Sequence, residues 1–261
     1  MSMRFLGRLG RVFRRRMRQM STTTGFFRNE AQMELILKLL PDARSAYVFG
    51  ASAGCEAYTL ALHFIRGVPG TRLSIAAFDI DDACLARARE AVYTAKEVDY
   101  YQSGKRLDDR WRPYFISEAS GGYRIRPDVQ QMCAFRHGSV LDGALISSLP
   151  SADLVLCQNV LIHMSPPDDA QAMRNLAALV KDGGILALGG MSPARRAVLT
   201  RQYPLEPITE QCEAIHEGWR DQRGAYRRHS FWRRPYTALE PFRRVRDWPH
   251  RYSSLFRKRP S

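Results

Sequence analysis

Lysine is scarce in this sequence: of its 40 basic residues 35 are arginine and only five are lysine, against 26 acidic residues. The five cysteines (Cys55, Cys84, Cys133, Cys157 and Cys212) form no C-x-x-C pair. An odd number so widely spaced argues against a disulfide framework and for a reducing compartment, so the cytoplasm is the expected location. No run of 18 apolar residues is present, so nothing in the sequence is expected to span a bilayer. The N-terminal stretch also lacks the continuous apolar segment of a secretory signal. The pattern G-x-x-x-x-G-K-[ST] is missing, which disfavours a phosphate-cradling P-loop.

What is present suffices for a core. A chain of 261 residues with 45% hydrophobic and 10% aromatic content is neither disordered nor a stapled miniprotein, and one domain with attachments is expected. The formal charge of +14 is unevenly placed: residues 1–29 carry +8, residues 219–261 carry +10, and residues 30–218 sum to −4. Within the first 20 residues Leu6, Leu9, Phe13, Met17 and Met20 recur at helical spacing among arginines, which describes a basic amphipathic helix. Packing on the body of the protein is the favoured reading of that face. Contact with an anionic membrane surface or acidic partner and a cleaved organellar presequence are the alternatives.

From residue 45 short apolar runs alternate with helical periods, the pattern of a parallel sheet with crossover helices. Strands are expected at Ser45–Phe49, Leu73–Phe78, Leu154–Cys157 and Ile185–Leu188. Helices are expected at Glu56–Arg66, at Asp82–Val92 with Asp81 as its cap, and at Asp169–Val180, stopping at Lys181-Asp182-Gly183-Gly184. Gly121-Gly122, flanked by Tyr114-Phe115-Ile116 and Tyr123-Arg124-Ile125, reads as a small β-hairpin excursion.

In such a sheet ligands bind outside the carboxyl ends of the strands. Gly50-Ala51-Ser52-Ala53-Gly54-Cys55-Glu56 joins strand to helix with small residues and could expose backbone N–H groups to a ligand, or could simply be a tight turn. Asp79, ending the second strand, suits vicinal ribose hydroxyls, so loop and acid together point to a nucleoside ligand. Cys157-Gln158-Asn159-Val160 ends a third strand, where Asn159 could turn the chain or bind a ligand. Thr22 to Arg28 places a hydroxyl and a guanidinium beside two phenylalanines. By itself it reads first as a cap and hydrophobic staple for a helix at Glu30–Leu40, although Arg28 also suits capture of a carboxylate.

These segments resemble a family. Thr24-Gly25-Phe26-Phe27-Arg28-Asn29-Glu30 is similar to the T-x-F-F-R-[DE] segment of CheR-type S-adenosylmethionine-dependent protein glutamate methyltransferases. Ser52-Ala53-Gly54-Cys55-Glu56-Ala57-Tyr58-Thr59-Leu60-Ala61 resembles their S-T-G-E-E-P-Y-S-[IL]-A loop, Asp79-Ile80-Asp81 their D-I-D, and Cys157-Gln158-Asn159-Val160-Leu161-Ile162-His163 their C-R-N-V-[LM]-I-Y. The resemblance implies a class I methyltransferase fold: α/β and Rossmann-like, with a mostly parallel sheet, helices on both faces and the hairpin as an excursion. It implies S-adenosylmethionine as methyl donor and a carboxylate as acceptor, on a protein or a small molecule. Thr24 and Arg28 would lie near the amino-acid end of the donor, with Arg28 the catalytic candidate. Gly50, Ser52, Gly54 and Glu56 would line the donor loop, Asp79 would hold the ribose, Ser139 and Val140 would border the adenine, and Asn159 and Val160 would floor the pocket. No metal is expected, and His63, His137 and His163 are read as structural.

The departures fall on the acceptor side. Only about twenty residues precede the T-x-F-F-R segment where the family has a helical domain, Cys55 replaces one acid of the E-E doublet, Gln158 and His163 stand at the R and Y positions, and Gly189-Gly190-Met191-Ser192 replaces G-H-S-E. The expected organisation is a basic helix at 1–21, a methyltransferase domain at 22–218 and an Arg/aromatic basic tail at 219–261. Three other functions stay open: O-methylation of a small metabolite, nucleic-acid methylation using the Arg-rich ends, and donor binding without catalysis. The basic ends bear on docking, to an anionic membrane or an acidic partner, with nucleic acid the less favoured.

Overall fold

Alternation along each apolar run decides which side of the sheet its residues serve, because successive side chains of a strand point to opposite faces. A computed structural model describes residues 24–99, 107–119, 121–216 and 245–260. The expected helix at 1–21 and the first part of the expected tail, 219–244, lie outside the described residues.

In chain order the elements are α1 (Glu30–Leu39), β1 (Ser45–Phe49), α2 (Cys55–Gly67), β2 (Ser74–Asp79), α3 (Asp82–Glu90), β3 (Val92–Thr94), α4 (Ala95–Asp99), β4 (Phe115–Ser117), β5 (Gly122–Ile125), α5 (Pro127–Gln130), β6 (Cys133–His137), α6 (Gly143–Ser148), β7 (Ala152–Gln158), α7 (Pro166–Leu179), β8 (Val180–Gly189), α8 (Pro193–Thr200), β9 (Leu205–Pro207), α9 (Trp248–Tyr252) and β10 (Leu255–Lys258). The main sheet has seven strands in the order β6-β2-β1-β7-β8-β10-β9. Strands β6, β2, β1, β7 and β8 run parallel, and β10 is antiparallel to both of its neighbours. Helices cover both faces. Ala46, Val48, Leu154, Leu156, Ile185 and Ala187 pack into one core with α1, α2 and α3, whereas Tyr47, Phe49, Val155, Cys157, Leu186 and Leu188 pack into a second with α7. That doubly covered arrangement is why the central strands read as near-continuous apolar runs.

Strand order reverses between β1 and β7, so the crevice for a ligand lies at the carboxyl ends of those two strands. The hairpin at Gly121-Gly122 is present as β4 and β5, and β3 joins it in a separate three-stranded sheet. The expected helix end at Val92 is two residues too late: Ala91 takes a left-handed conformation (φ 54°) after Glu90, and Val92 opens β3. The expected helix stop at Lys181 to Gly184 is instead a register irregularity inside β8, where Gly183 sits at φ 78° and pairing passes from Val180 to Ile185. The tail expected from residue 219 also ends differently, since Leu255–Lys258 is a strand inserted between β8 and β9. No helix among the described residues is long and apolar enough to cross a membrane.

At the opposite end of the sheet from the crevice, Asp153 ties β1, β7 and β8 together. Its Oδ2 accepts from the backbone N–H groups of Arg44 and Ser45 and from Ser45 Oγ, all at 2.9 Å, and its Oδ1 accepts from Lys181 Nζ at 2.8 Å. Burial pushes this carboxyl up, but the Lys181 ammonium and the Arg44 and Ser45 donors outweigh it and hold it at about 2. Replacing Asp153 with Asn is expected to cost about 1–3 kcal/mol of stability at neutral pH. Since the folded value lies below the ordinary 3.8, the stabilisation is complete above that pH and is lost as pH falls through about 2. Urea titrations of the two proteins would show the gap closing on acidification; a gap constant down to pH 2 would contradict the assignment.

Candidate functional site

Loops from five strand ends meet at the crevice. After β1 the chain turns at Gly50, whose φ of 77° is left-handed and where an added Cβ would collide with the Val160 side chain. The backbone there is pinned, with Gly50 N and Ala51 N both donating to the Phe78 carbonyl at 2.8 and 3.0 Å. Ser52, also left-handed at φ 48°, donates its N–H to Asp79 Oδ2 at 2.7 Å, while Asp79 Oδ1 accepts from Asp81 N at 2.9 Å. Each oxygen of Asp79 therefore has one lone pair committed to the backbone and one available to a hydroxyl. Asp81 caps α3 as expected, accepting from Ala83 N and Cys84 N.

Gly138, after β6, donates its N–H to the Asp79 carbonyl at 3.0 Å, which brings the following Ser139 and Val140 to the same end of the sheet. The Ser139 hydroxyl accepts from Leu141 N at 3.1 Å. Val140 is packed into the core and its carbonyl accepts from Asn175 Nδ2 at 2.7 Å. At the end of β7 Asn159 stands at φ 57°, with its N–H donated to the Gly189 carbonyl at 3.1 Å. Asn159 and Val160 thus close the crevice from the β7 side, Val160 against Gly50.

The segment from Thr24 to Arg28 lies across the start of α2. Phe27 N donates to Thr59 Oγ1 at 3.1 Å, and Thr59 Oγ1 donates in turn to the Cys55 carbonyl at 2.7 Å. Phe27 is left-handed at φ 54° and stacks on Trp111 at 4.8 Å; Phe26 packs edge-on against Tyr93 at the same distance. The Tyr93 hydroxyl, from β3, donates to the Ala53 carbonyl at 2.6 Å, so the excursion braces the loop after β1. The helix cap expected within Thr22 to Arg28 is supplied by Asn29, whose Oδ1 accepts from Gln32 N at 3.1 Å. Arg28 lies with Gly25, Asn29, Gln32, Met33, Glu56 and Thr59 around one narrow pocket.

Glu56 is the charge centre of that pocket. Its Oε1 is buried with no hydrogen-bond partner among the described residues. Burial pushes the carboxyl up to about 7, against the opposing pull of Arg28. An uncompensated buried oxygen next to a left-handed glycine turn is a cradle for a cationic group. Cys55 beside it is a thiol pushed up to about 12 by burial, so the loop carries one negative charge where a doublet of acids would carry two. Among the described residues no group of three or more His, Cys, Asp and Glu is placed to hold a metal. His63 is buried, donates through Nδ1 to the Thr59 carbonyl at 2.8 Å, and is lowered to about 4 by burial, which keeps it neutral.

Sequence reasoning brought Thr24, Arg28, Gly50, Ser52, Gly54, Glu56, Asp79, Ser139, Val140, Asn159 and Val160 to one end of the sheet. It missed Thr59, Tyr93, Asn29 and Gln32. Asn29 and Gln32 did leave a signal, the N-x-x-Q spacing of a helix N-terminus. Thr59 left a weaker one, a hydroxyl four residues after Cys55 in a helix.

A seven-stranded sheet of this order, with a glycine turn after β1, an acid ending β2 and an orphaned buried carboxylate, defines a nucleoside-binding α/β domain of the class I methyltransferase type. The sequence profile of the CheR methyltransferase SAM-binding domain matches residues 22–196. The chain belongs to that family. It is similar to a chemotaxis protein methyltransferase of Listeria innocua, 29% identical over 175 residues, covering 64% of this chain and 63% of the relative. A chemotaxis protein methyltransferase 2 of Vibrio cholerae is 25% identical, over 64% of this chain and 60% of the relative. The chain therefore spans about three fifths of the length of these curated relatives. Among solved structures, an O-methyltransferase family protein of Burkholderia thailandensis aligns over 89% of this chain and 56% of its own, at 15% identity and a TM-score of 0.43.

The residues present fit S-adenosylmethionine: Glu56 would take its ammonium, Asp79 the ribose hydroxyls, and Gly50 to Ser52 would let the ligand approach the backbone. Because Glu56 is charged only above about 7, the affinity for S-adenosylhomocysteine, which carries the same ammonium, is expected to rise as pH rises from 5 to about 7. Glu56→Gln should bind more weakly at pH 7 and show a flatter profile. Calorimetry at four pH values checks this, and a flat profile for the unsubstituted chain would remove Glu56 from the donor site.

Proposed function

We propose that this chain is an S-adenosylmethionine-dependent methyltransferase that O-methylates a carboxylate, with glutamate side chains of a protein as the first substrate class. The observation that supports the reading best is the pocket shared by Arg28 and Glu56, created where the Thr24 to Arg28 segment is pinned on α2. One cation and one anion stand side by side there, the pair needed to position a carboxylate oxygen beside a ligand that bears an ammonium. The protein acceptor draws on the two curated relatives named above, both chemotaxis protein methyltransferases.

The chemistry asks little of side chains. The acceptor carboxylate is already ionised at neutral pH, so it attacks the donor methyl in line with the departing thioether and no general base is required. The methyl carbon gains a bond to oxygen as its bond to sulfur breaks, giving a methyl ester and S-adenosylhomocysteine. His63, buried and neutral against Thr59 and Trp111, is a packing residue in this reading. The Arg-rich segments outside residues 30–218 supply docking charge for an acidic partner or an anionic membrane surface.

Two measurements test the proposal. With donor carrying a tritiated methyl group, labelled product should release volatile methanol in alkali, as esters do and ethers and methylamines do not. Label that survives alkali would show a different acceptor atom. Arg28→Ala should keep its fold, because Arg28 is half-buried, yet lose turnover by about 10²–10³-fold. Unchanged turnover would take Arg28 out of the catalytic role.

A further inference from the structure

One wall of the Arg28 and Glu56 pocket is a glutamine held from the far end of the chain. Gln32 is 1% exposed and lines that pocket. Its Nε2 donates to Ser254 Oγ at 2.9 Å, and its Oε1 accepts from Gln158 Nε2 at 3.2 Å. The three residues come from α1, from the turn before β10 and from the last position of β7, and Ser254 lies 222 positions from Gln32. Ser254 is itself fixed beside the carboxyl end of β8, because Leu188 N donates to its carbonyl at 2.8 Å. Gln158 Oε1, 4% exposed at the residue level, is left with no partner among the described residues.

Such a row has two complete orientations. A serine hydroxyl both donates and accepts, and a carboxamide exchanges its donor and acceptor ends by a half turn. In the first orientation Gln158 donates to Gln32, Gln32 donates to Ser254, and the Gln158 carbonyl is the spare acceptor. In the second, Ser254 donates to Gln32, Gln32 donates to Gln158, and the Gln158 amide N–H becomes the spare donor. An anionic oxygen near the end of β7 selects the second, an ammonium selects the first, and a hydroxyl pairs with either.

We infer that Ser254, acting through Gln32, is a positioning residue for the binding pocket, and that the row sets which polar group Gln158 offers beside Asn159. This deepens the donor-binding reading above and rests on it. It also places part of the site beyond residue 196, where the family match ends, and gives β10 a purpose besides completing the sheet. Gln158 then serves as a reversible neutral partner at the position where the family pattern carries an arginine.

The experiment measures S-adenosylhomocysteine affinity by calorimetry on the full chain, with melting temperature as the fold control. Ser254→Ala should weaken binding by about tenfold, the worth of one positioned hydrogen bond, while Ser254→Thr, which keeps the hydroxyl, should bind like the unsubstituted chain. Gln32→Met keeps the volume without the hydrogen bonds and should show a similar loss, and adding Ser254→Ala to it should change nothing further, because the link is already cut. Should Ser254→Ala fail to fold, Ser254→Val against Ser254→Thr, alike in shape and differing in the hydroxyl, carries the test. Equal affinities throughout overturn the relay and leave the donor reading standing, whereas no binding by the unsubstituted chain overturns both.

Discussion

A parallel sheet covered on both faces leaves its strands nowhere to present polar groups except at their ends, and that constraint organises this molecule. Residues 46–49, 154–157 and 185–188 are spent alternately on two cores, so no side chain along them is available for chemistry. Within the main sheet the polar contacts that shape the crevice are made by residues at or just past strand termini: Ser52 with Asp79, Gly138 with Asp79, Asn159 with Gly189. At the other end of the sheet the same rule puts Asp153 at the junction of three strands, where it is satisfied by four donors and serves stability alone. The two ends are chemically distinct for a plain reason. At the Asp153 end the carboxylate is saturated; at the crevice Glu56 keeps an oxygen without a donor.

An orphaned buried carboxylate costs free energy, and the surrounding structure holds it in place from several directions. The Thr59 hydroxyl fixes Phe27, Trp111 stacks on Phe27, and Glu30 binds both the Trp111 indole at 3.2 Å and Arg110 at 2.6 Å. Tyr93 reaches over from the small sheet to the loop after β1. The excursion, which could be taken for an ornament on the fold, therefore buttresses both the loop that precedes Glu56 and the segment that delivers Arg28. Partial relief comes from Arg28 itself, which pulls the Glu56 carboxyl down against the effect of burial.

How much of this was legible depends on how local each signal is. The central strands, the glycine turn, Asp79 and the capping Asp81 announce themselves within a few residues, because burial on both faces writes an apolar run and a helix start writes an acid. Strand β10 does not: Leu255-Phe256-Arg257-Lys258 has two cationic residues in four, and it is a strand only because β8 and β9 offer edges on either side of it. The turn at Lys181 to Gly184 looked like a helix terminus, since Gly183 at positive φ serves a helix end and a strand irregularity equally well. Gln32 with Ser254, and Asn29 with the Ile215 carbonyl at 2.8 Å, join residues 222 and 186 positions apart, and nothing in either neighbourhood names its partner. The family motifs drew the residues around the crevice together because they summarise such long-range pairings. The family match stops at residue 196, ahead of Ile215 and Ser254.

The burial that makes Glu56 costly also suits the proposed transfer. A sulfonium and a carboxylate bring opposite full charges together, and both charges diminish as the methyl group moves from sulfur to oxygen. A medium that solvates charge poorly therefore destabilises the reactants more than the transition state, and low polarity around the reacting atoms lowers the barrier. Ala51, Ala53, Phe26 and Phe27, all buried beside the crevice, provide that surrounding, while Glu56 and Arg28 supply localised charge in the pocket they share. The same reasoning bears on position 158. A fixed cation there would hold an acceptor carboxylate tightly but would also stabilise the negative charge that the reaction must neutralise. A neutral carboxamide that turns its N–H toward the acceptor oxygen can hold it as carboxylate and as ester alike without a full charge that favours the reactant, and the buried row through Gln32 to Ser254 allows it to turn without leaving its neighbour unpaired.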